Sequence, residues 1–303
     1  FAAAFVHLRT VTLERRAGAP GAAPAEIVHT AAGHFWVVDA EAENVRIHGP
    51  DGRSLYVLRG GHRLAELGRP ASLAMVHGAW VAVLDAGLGR VRLYDARARA
   101  TGGFDIPQVD DPRQIRCLAD RHLVVVGAGG PGGDRLVHVY ALDGRHVESL
   151  YSIAARTVRE TARTRAARAH HAPETPTAPA ASAAAGTSLL VAYGPSRAVT
   201  VYDFGTRMVR AFPTPARPDG IEGVFAGPEG QVIVMHRESG DPARYGYTLH
   251  APDGAPLLAN VRSPQRVVGV EGRLVYSVGP ADGSPGTALR ICRLRDPASL
   301  GSA

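Results

Sequence analysis

Six times along the chain a short strand-forming segment runs into a turn residue, and an apolar strand-forming segment follows at once. The copies read EIVHTAAGHFWVVD, SLAMVHGAWVAVLD, QIRCLADRHLVVVG, ASAAAGTSLLVAY, VFAGPEGQVIVMH and RVVGVEGRLVYSV. Their turns fall at Gly33, Gly78, Asp120, Gly186, Gly230 and Gly272, with successive spacings of 45, 42, 66, 44 and 42 residues. A fixed period of this length restricts a chain to a stack or ring of like units, because each unit buries its apolar face only against the next. The single long spacing is accounted for by an insertion between the third and fourth copies.

Each landmark is followed by a third segment of strand character: NVRIHGP, RVRLYDA, RLVHVYAL, AVTVYDF, YGYTLHA and ALRICRL. Most are followed by a fourth: SLYVL, GGFDI, HVESLY, MVRAF and PLLANV. Alternation of period two with β-branched and aromatic residues is the pattern of strands. Asp51-Gly52, Asp143-Gly144 and Asp253-Gly254 supply the positive-φ residues of tight turns between third and fourth strands. Six four-stranded units of about 43 residues match the blades of a β-propeller. The sixth unit has only three strands, and an orphan strand, FVHLRTVTLER, precedes the first. Pairing the two closes a ring and leaves no blade without its outer strand.

The expectation is therefore an all-β, six-bladed β-propeller of four antiparallel strands per blade, forming one domain over residues 1–303. The blades are placed at about 24–60, 70–107, 112–152, 180–213, 220–262 and 264–296, with the closing strand at 5–15. Residues 154–179 form an Arg/Ala/Pro-rich insertion, helix-prone in its first half and linker-like in its second. HFWVVDAEAENVRIHGPDGRSLYVL, with its apolar strand, Asp, Asn-containing turn, strand and Asp-Gly, resembles the blade of NHL-like propellers. The Asp of Asp39 and Asp85 gives way to Gly127, Tyr193 and His236 in later copies. The class includes lyases, lactonases, RNA-binding modules and noncatalytic envelope proteins, so the resemblance implies a fold and several functions.

Composition narrows these. The net charge is +6, but the chain has no lysine: all 34 basic residues are arginine. With only Asn44 and Asn260 as asparagines, the usage is that of a GC-rich genome. Half of the net charge falls in the insertion, where Arg156, Arg159, Arg163, Arg165 and Arg168 face Glu160 and Glu174. The remainder is mild for the chain's size, so solubility explains it and nucleic acid is not the expected partner. Cys117 and Cys292 lie in strands of distant units and read as buried thiols. No apolar run has the length of a membrane span. The sequence begins at Phe1 rather than Met, and FAAAF is a segment that a removed export signal would adjoin. The compartment stays open, with a periplasmic, extracellular or envelope location preferred to the cytoplasm.

Little in the chain carries recognisable chemistry. Gly127, Gly129 and Gly132 make GxGxxG, but a strand rather than a helix follows, which excludes a dinucleotide site. There is no GxSxG elbow, no HExxH and no Asp-rich calcium loop. His170 and His171 are adjacent in the insertion and read as solvated; no metal or other cofactor is expected. In the propeller that the resemblance implies, loops leading into each first strand share one face with loops joining second and third strands. That face carries Arg69, Asp111, Arg113, Asp219, Glu222 and Arg266 from the first set. Asp39, Glu43, Asp85, Arg197, His236, Glu238 and Arg244 come from the second.

Arg69, Asp111, Arg113, Asp219, Glu222, His236 and Arg266 are the candidate ligand-binding set, with no residue assigned to catalysis. The leading expectation is a noncatalytic, monomeric propeller that binds a small ligand or a protein through this face. The alternative is a propeller lyase or hydrolase, with His236 as acid–base group and Arg113 or Arg266 holding an anionic substrate. RNA binding stands third, since aromatic residues make up only 6% of the chain and fall mostly in strand patterns.

Overall fold

The computed structural model describes residues 4–14, 24–39, 42–59, 67–127, 135–151, 179–193, 198–214, 221–238, 241–279 and 287–295. Strand β1 (Phe5–Leu13) comes first. The first blade follows as β2 (Glu26–His29), β3 (Phe35–Asp39), β4 (Asn44–His48) and β5 (Ser54–Arg59). The second is β6 (Pro70–Val76), β7 (Trp80–Asp85), β8 (Arg90–Tyr94) and β9 (Ala100–Asp105), and the third β10 (Pro112–Leu118), β11 (His122–Gly127), β12 (Arg135–Ala141) and β13 (His146–Tyr151). The fourth is β14 (Pro179–Ala185), β15 (Ser188–Tyr193), β16 (Ala198–Asp203) and β17 (Met208–Pro213). The fifth is β18 (Ile221–Ala226), β19 (Val232–Glu238), β20 (Asp241–His250) and β21 (Pro256–Ser263). The sixth holds β22 (Arg266–Glu271), β23 (Leu274–Gly279) and β24 (Thr287–Leu294).

Each of the six sheets has four strands, and every pairing is antiparallel between sequence neighbours except one. In the sixth sheet β1 lies outside β24, from Phe5 opposite Leu294 to Leu13 opposite Thr287, with one irregularity between His7 and Arg9. The chain's first strand thus completes its last blade. The first strands of successive blades pack on one another, and β22 packs back on β2. This is a closed six-bladed propeller. The expected insertion at 154–179 lies outside the described residues apart from Pro179, which begins β14.

Burial explains the sequence pattern strand by strand. Second strands are covered on both faces by neighbouring blades, so FWVVD in β3 and HLVVV in β11 are almost continuously buried. First strands crowd the axis and use small residues, as in PASLAMV of β6 and PAASAAA of β14. Fourth strands face solvent, and β5, β9 and β17 are mostly exposed. The core is not one body but six. Each cluster joins two adjacent blades: Trp36, Val38 and Ile47 meet Leu73, Val81 and Tyr94 between the first and second. Phe5, Cys292 and Leu294 meet Ile233, Tyr247 and Leu249 between the sixth and fifth.

The Asp-Gly turns lock blades together as well as turning the chain. Gly144 and Gly254 have φ of +88° and +93°. A Cβ at Gly144 would lie 2.5 Å from Phe104 on the outer strand of the preceding blade, and one at Gly254 would lie 2.6 Å from Phe212. Glycine is needed for both conformation and room. Above two of these turns a histidine ends the third strand. His48 donates through Nδ1 to the Gly52 carbonyl at 3.0 Å, and His250 donates likewise to Gly254 at 3.0 Å. Burial lowers the pKa of both imidazoles from the ordinary 6.5, because the charged form loses its hydration.

Two outcomes follow from these contacts. Gly254→Ala combines a strained φ with overpacking against Phe212 and should lower the unfolding free energy by roughly 2–4 kcal/mol, measured in urea. The unfolded chain takes up protons on His48 and His250 near pH 6.5 while the folded ring resists them. Stability should therefore fall as pH drops below about 6.5, until the lowered native values are passed. Denaturation at pH 7.5 and 5 checks this, with a flatter profile expected for the His48→Asn, His250→Asn double variant.

Candidate functional site

The six first strands surround a channel along the ring axis, and the side chains facing it divide it by chemistry. At the end where the chain enters each first strand is a cavity of about 220 Å³. Arg113, Glu222 and Arg266 line it together with Gln114, Glu26 and Arg116. Its remaining wall is apolar or small, with Phe225, Met235, Val267 and Ala181. A second cavity of about 170 Å³ continues along the axis and shares Glu26, Arg116, Ser182, Val224, Phe225 and Val268 with the first. Beyond it, Gly and Ala turn residues open a wide lower mouth.

A polar partition separates the two cavities, built from one residue in each of four blades. Arg116 of β10 reaches Glu26 of β2 at 2.7 Å, both side chains being less than one-fifth exposed. Glu26 also accepts from the Ser72 hydroxyl of β6 at 2.6 Å and from the Leu73 amide at 2.9 Å. Arg116 Nε donates to the Ser182 carbonyl of β14 at 2.8 Å, and Nη1 donates to Ser72 Oγ and the Ile115 carbonyl. The Ile115 amide donates to Ser72 Oγ in turn. A half-buried ion pair stands only when its remaining donors and acceptors are satisfied, and here several are.

The seven expected binding residues part company in the structure. Arg69, Asp111 and Arg113 come together where the second and third blades meet. Arg113 donates through Nε and Nη2 to one Asp111 oxygen at 3.0 and 2.8 Å, and Arg69 Nη2 lies 3.7 Å from the other. Glu222 and Arg266 stand on the same upper cavity as Arg113. Glu222 receives Arg237 Nε at 2.7 Å, while Arg266 Nη1 donates to the Pro24 carbonyl at 3.1 Å. Asp219 and Arg197 lie outside the described residues.

His236 does not belong to a loop. It lies within β19, 1% exposed, and the channel-facing residue beside it is Met235. Its ring occupies the space left by the absent Cβ of Gly246, which faces it across the ladder in β20. Arg244 also falls inside a strand, β20, where it is exposed, and Glu238 ends β19.

The two repeated aspartates serve the chain rather than a ligand. Asp85, fully buried, accepts from the amides of Gly68, Arg69 and Leu88 at 2.8, 3.0 and 3.1 Å. By holding the Arg69 backbone it places the guanidinium beside Asp111. Asp39 accepts from the Ala42 amide and lies 3.3 Å from Arg46. Glu43, at a positive φ of 47°, is a turn residue.

Cys117 lines the second cavity and packs against the cluster between the second and third blades, and burial, aided by Asp120, pushes the thiol's pKa up to about 12. It stays protonated at neutral pH and is a poor nucleophile. Among the described residues, no group of three or more His, Cys, Asp and Glu side chains is placed to hold a metal ion. Among the same residues no helix is long and apolar enough to cross a membrane.

Comparison with known proteins supports the fold and stops there. No family model and no curated protein matches the sequence. Solved structures do. A Bacteroides fragilis protein provisionally assigned to export superposes with a TM-score of 0.63 at 10% identity over 96% of both chains. A DUF4221-family protein of Bacteroides vulgatus gives 0.62 at 7% identity, covering 96% of this chain and 98% of its own. Virginiamycin B lyase of Staphylococcus aureus gives 0.57 at 10% identity, covering 95% and 99%. At such identities the likeness is one of fold: the chain is a six-bladed propeller, as its repeats imply.

The channel partition makes a thermodynamic prediction. Arg116→Met strands the Glu26 carboxylate and should lower the unfolding free energy by about 3 kcal/mol. Adding Glu26→Gln should recover at least about 1 kcal/mol, because the two residues act as a pair. Urea unfolding of the single and double variants measures the coupling.

Proposed function

We propose that this propeller is a noncatalytic binding protein that takes a small organic anion into the upper end of its channel. The observation that supports this most is the convergence of Arg113 and Arg266, from the third and sixth blades, on one partly apolar cavity of about 220 Å³. A guanidinium carries five donors. Asp111 takes the Nε and Nη2 edge of Arg113 and the Pro24 carbonyl one donor of Arg266. That leaves Arg113 Nη1 and the other Arg266 donors for a carboxylate, while the apolar wall suits the body of such a ligand. Glu222 on the same wall selects against a second negative charge on its side of the cavity.

A lyase or hydrolase role needs an acid–base group aimed at the ligand. His236, the candidate for that task, is packed behind Met235, and the Cys117 thiol is held protonated. These positions favour binding over turnover. An envelope location remains the preferred expectation and accords with the export assignment carried by the Bacteroides fragilis neighbour's name, though that neighbour is similar in fold alone.

Benzoate and its neutral isostere benzamide, titrated by ligand-observed NMR, provide the test. Benzoate should bind the native protein in preference to benzamide and weaken at least tenfold in the Arg113→Ala, Arg266→Ala double variant. Equal binding of both probes, or an unchanged benzoate affinity in the variant, contradicts the proposal. Conversion of a bound ester or amide during the same experiment would favour the enzyme instead.

A further inference from the structure

The second cavity, on the other side of the Arg116–Glu26 partition, has a chemistry opposite to the first. It is walled by Leu73, Ala74, Met75, Val224 and Val270, with the rings of Phe225 and Tyr276 among them. At about 170 Å³ it is comparable with the ~150 Å³ apolar cavities that admit a benzene ring. Its charged groups are Arg116, Glu26 and Glu271, with His29 beside them. The first two neutralise each other at 2.7 Å. That leaves Glu271 as the carboxylate not matched by an arginine in this chamber.

Glu271 is not tightly engaged by the imidazole near it. His29 Nδ1 stands 3.6 Å from Glu271 Oε2, beyond hydrogen-bond distance. His29 is instead part of an aromatic wall, its ring centroid 4.8 Å from Phe35 and 5.8 Å from Tyr276. Glu271 is engaged by Tyr276 instead: after burial, the carboxylate's charge and a side-chain hydrogen bond to it raise the phenol's pKa. The chamber therefore presents an aromatic and aliphatic pocket with one carboxylate at its edge. Access lies at the lower mouth, where Ala184, Ala226 and Val270 line both the chamber and the wide opening beyond it.

We propose that this lower chamber is a second binding site, selective for a small aromatic or aliphatic monocation whose ammonium group pairs with Glu271. A neutral ligand of the same shape would gain the apolar contacts but not the charge pairing. An anion would meet the carboxylate and be disfavoured. Phe225 and Tyr276, among the lining residues, add apolar contact with the body of the ligand. The site differs from the upper one in ligand charge and in its mouth, with the Arg116–Glu26 pair between them, although Val224, Phe225 and Val268 line both.

Phenethylammonium and the neutral 2-phenylethanol are suitable probes for titration by ligand-observed NMR on the full chain. Phenethylammonium should bind the native protein saturably and at least tenfold more tightly than 2-phenylethanol. Glu271→Gln, at a partly exposed strand end, should remove that preference while leaving 2-phenylethanol unchanged. Ala226→Leu should narrow the chamber and weaken both probes at least tenfold. Absence of saturable binding, equal affinities in the native protein, or a preference that survives Glu271→Gln overturns the proposal. So does undiminished binding to a folded Ala226→Leu variant, which would place the site elsewhere. Loss of benzoate binding in the Arg113→Ala, Arg266→Ala variant should leave phenethylammonium binding unaltered, separating the two sites.

Discussion

Each blade of this protein is a thin sheet with no core of its own, and among the described residues the buried aromatic and aliphatic clusters each join two neighbouring blades. The six apolar clusters, one at each blade junction, are therefore conditional on one another. A ring satisfies this condition everywhere, whereas an open stack would leave two apolar faces exposed to water. Closure is made by β1 pairing with β24, which brings Phe5 into the cluster between the fifth and sixth blades and Val11 and Leu13 into that between the sixth and first. β1 itself lines neither cavity; its part is to complete the last blade of the ring that encloses them.

Closure also governs the chemistry at the axis. Six short strands converge there, so most inward positions hold Ala, Ser, Val or Gly, and a long side chain must find its partner across the channel. Glu26 and Arg116 do so, with Ser72 and Ser182 taking part of their remaining hydrogen-bonding capacity. The result is an internal wall that ties four blades together and divides a continuous channel into two compartments of different polarity. Guanidiniums dominate above it, and below it Glu271 is the carboxylate not paired with an arginine.

The fold was legible in the sequence because its signals are local and repeated. A turn residue, an apolar second strand and an Asp-Gly turn recur at a near-constant period, and an orphan strand at one end matches a missing strand at the other. The rim of the upper cavity was legible in part, since Arg113, Glu222 and Arg266 sit at the starts of first strands, where polar residues are noticeable. His236 was not, because the fifth blade extends β19 through Glu238 and resumes at Asp241, which draws the histidine into the strand. Asp85 reads from sequence as an exposed acidic group but is consumed by three amides of its own blade. The partition and the lower chamber were beyond reach: Glu26, Ser72, Arg116 and Ser182 belong to four different blades, and no local pattern joins them. Arg116, set between Ile115 and Cys117 in PRQIRCL, is a trace that the sequence retains.

The central claim is that closure creates one channel with two ends of opposite ligand charge. A crystal structure of the native protein soaked with benzoate and phenethylammonium together addresses it most directly. The account predicts benzoate density beside Arg113 and Arg266 and phenethylammonium density beside Glu271, with the Arg116–Glu26 pair intact between them. Both molecules in one cavity, or both confined to the outer surface of the ring, would contradict it.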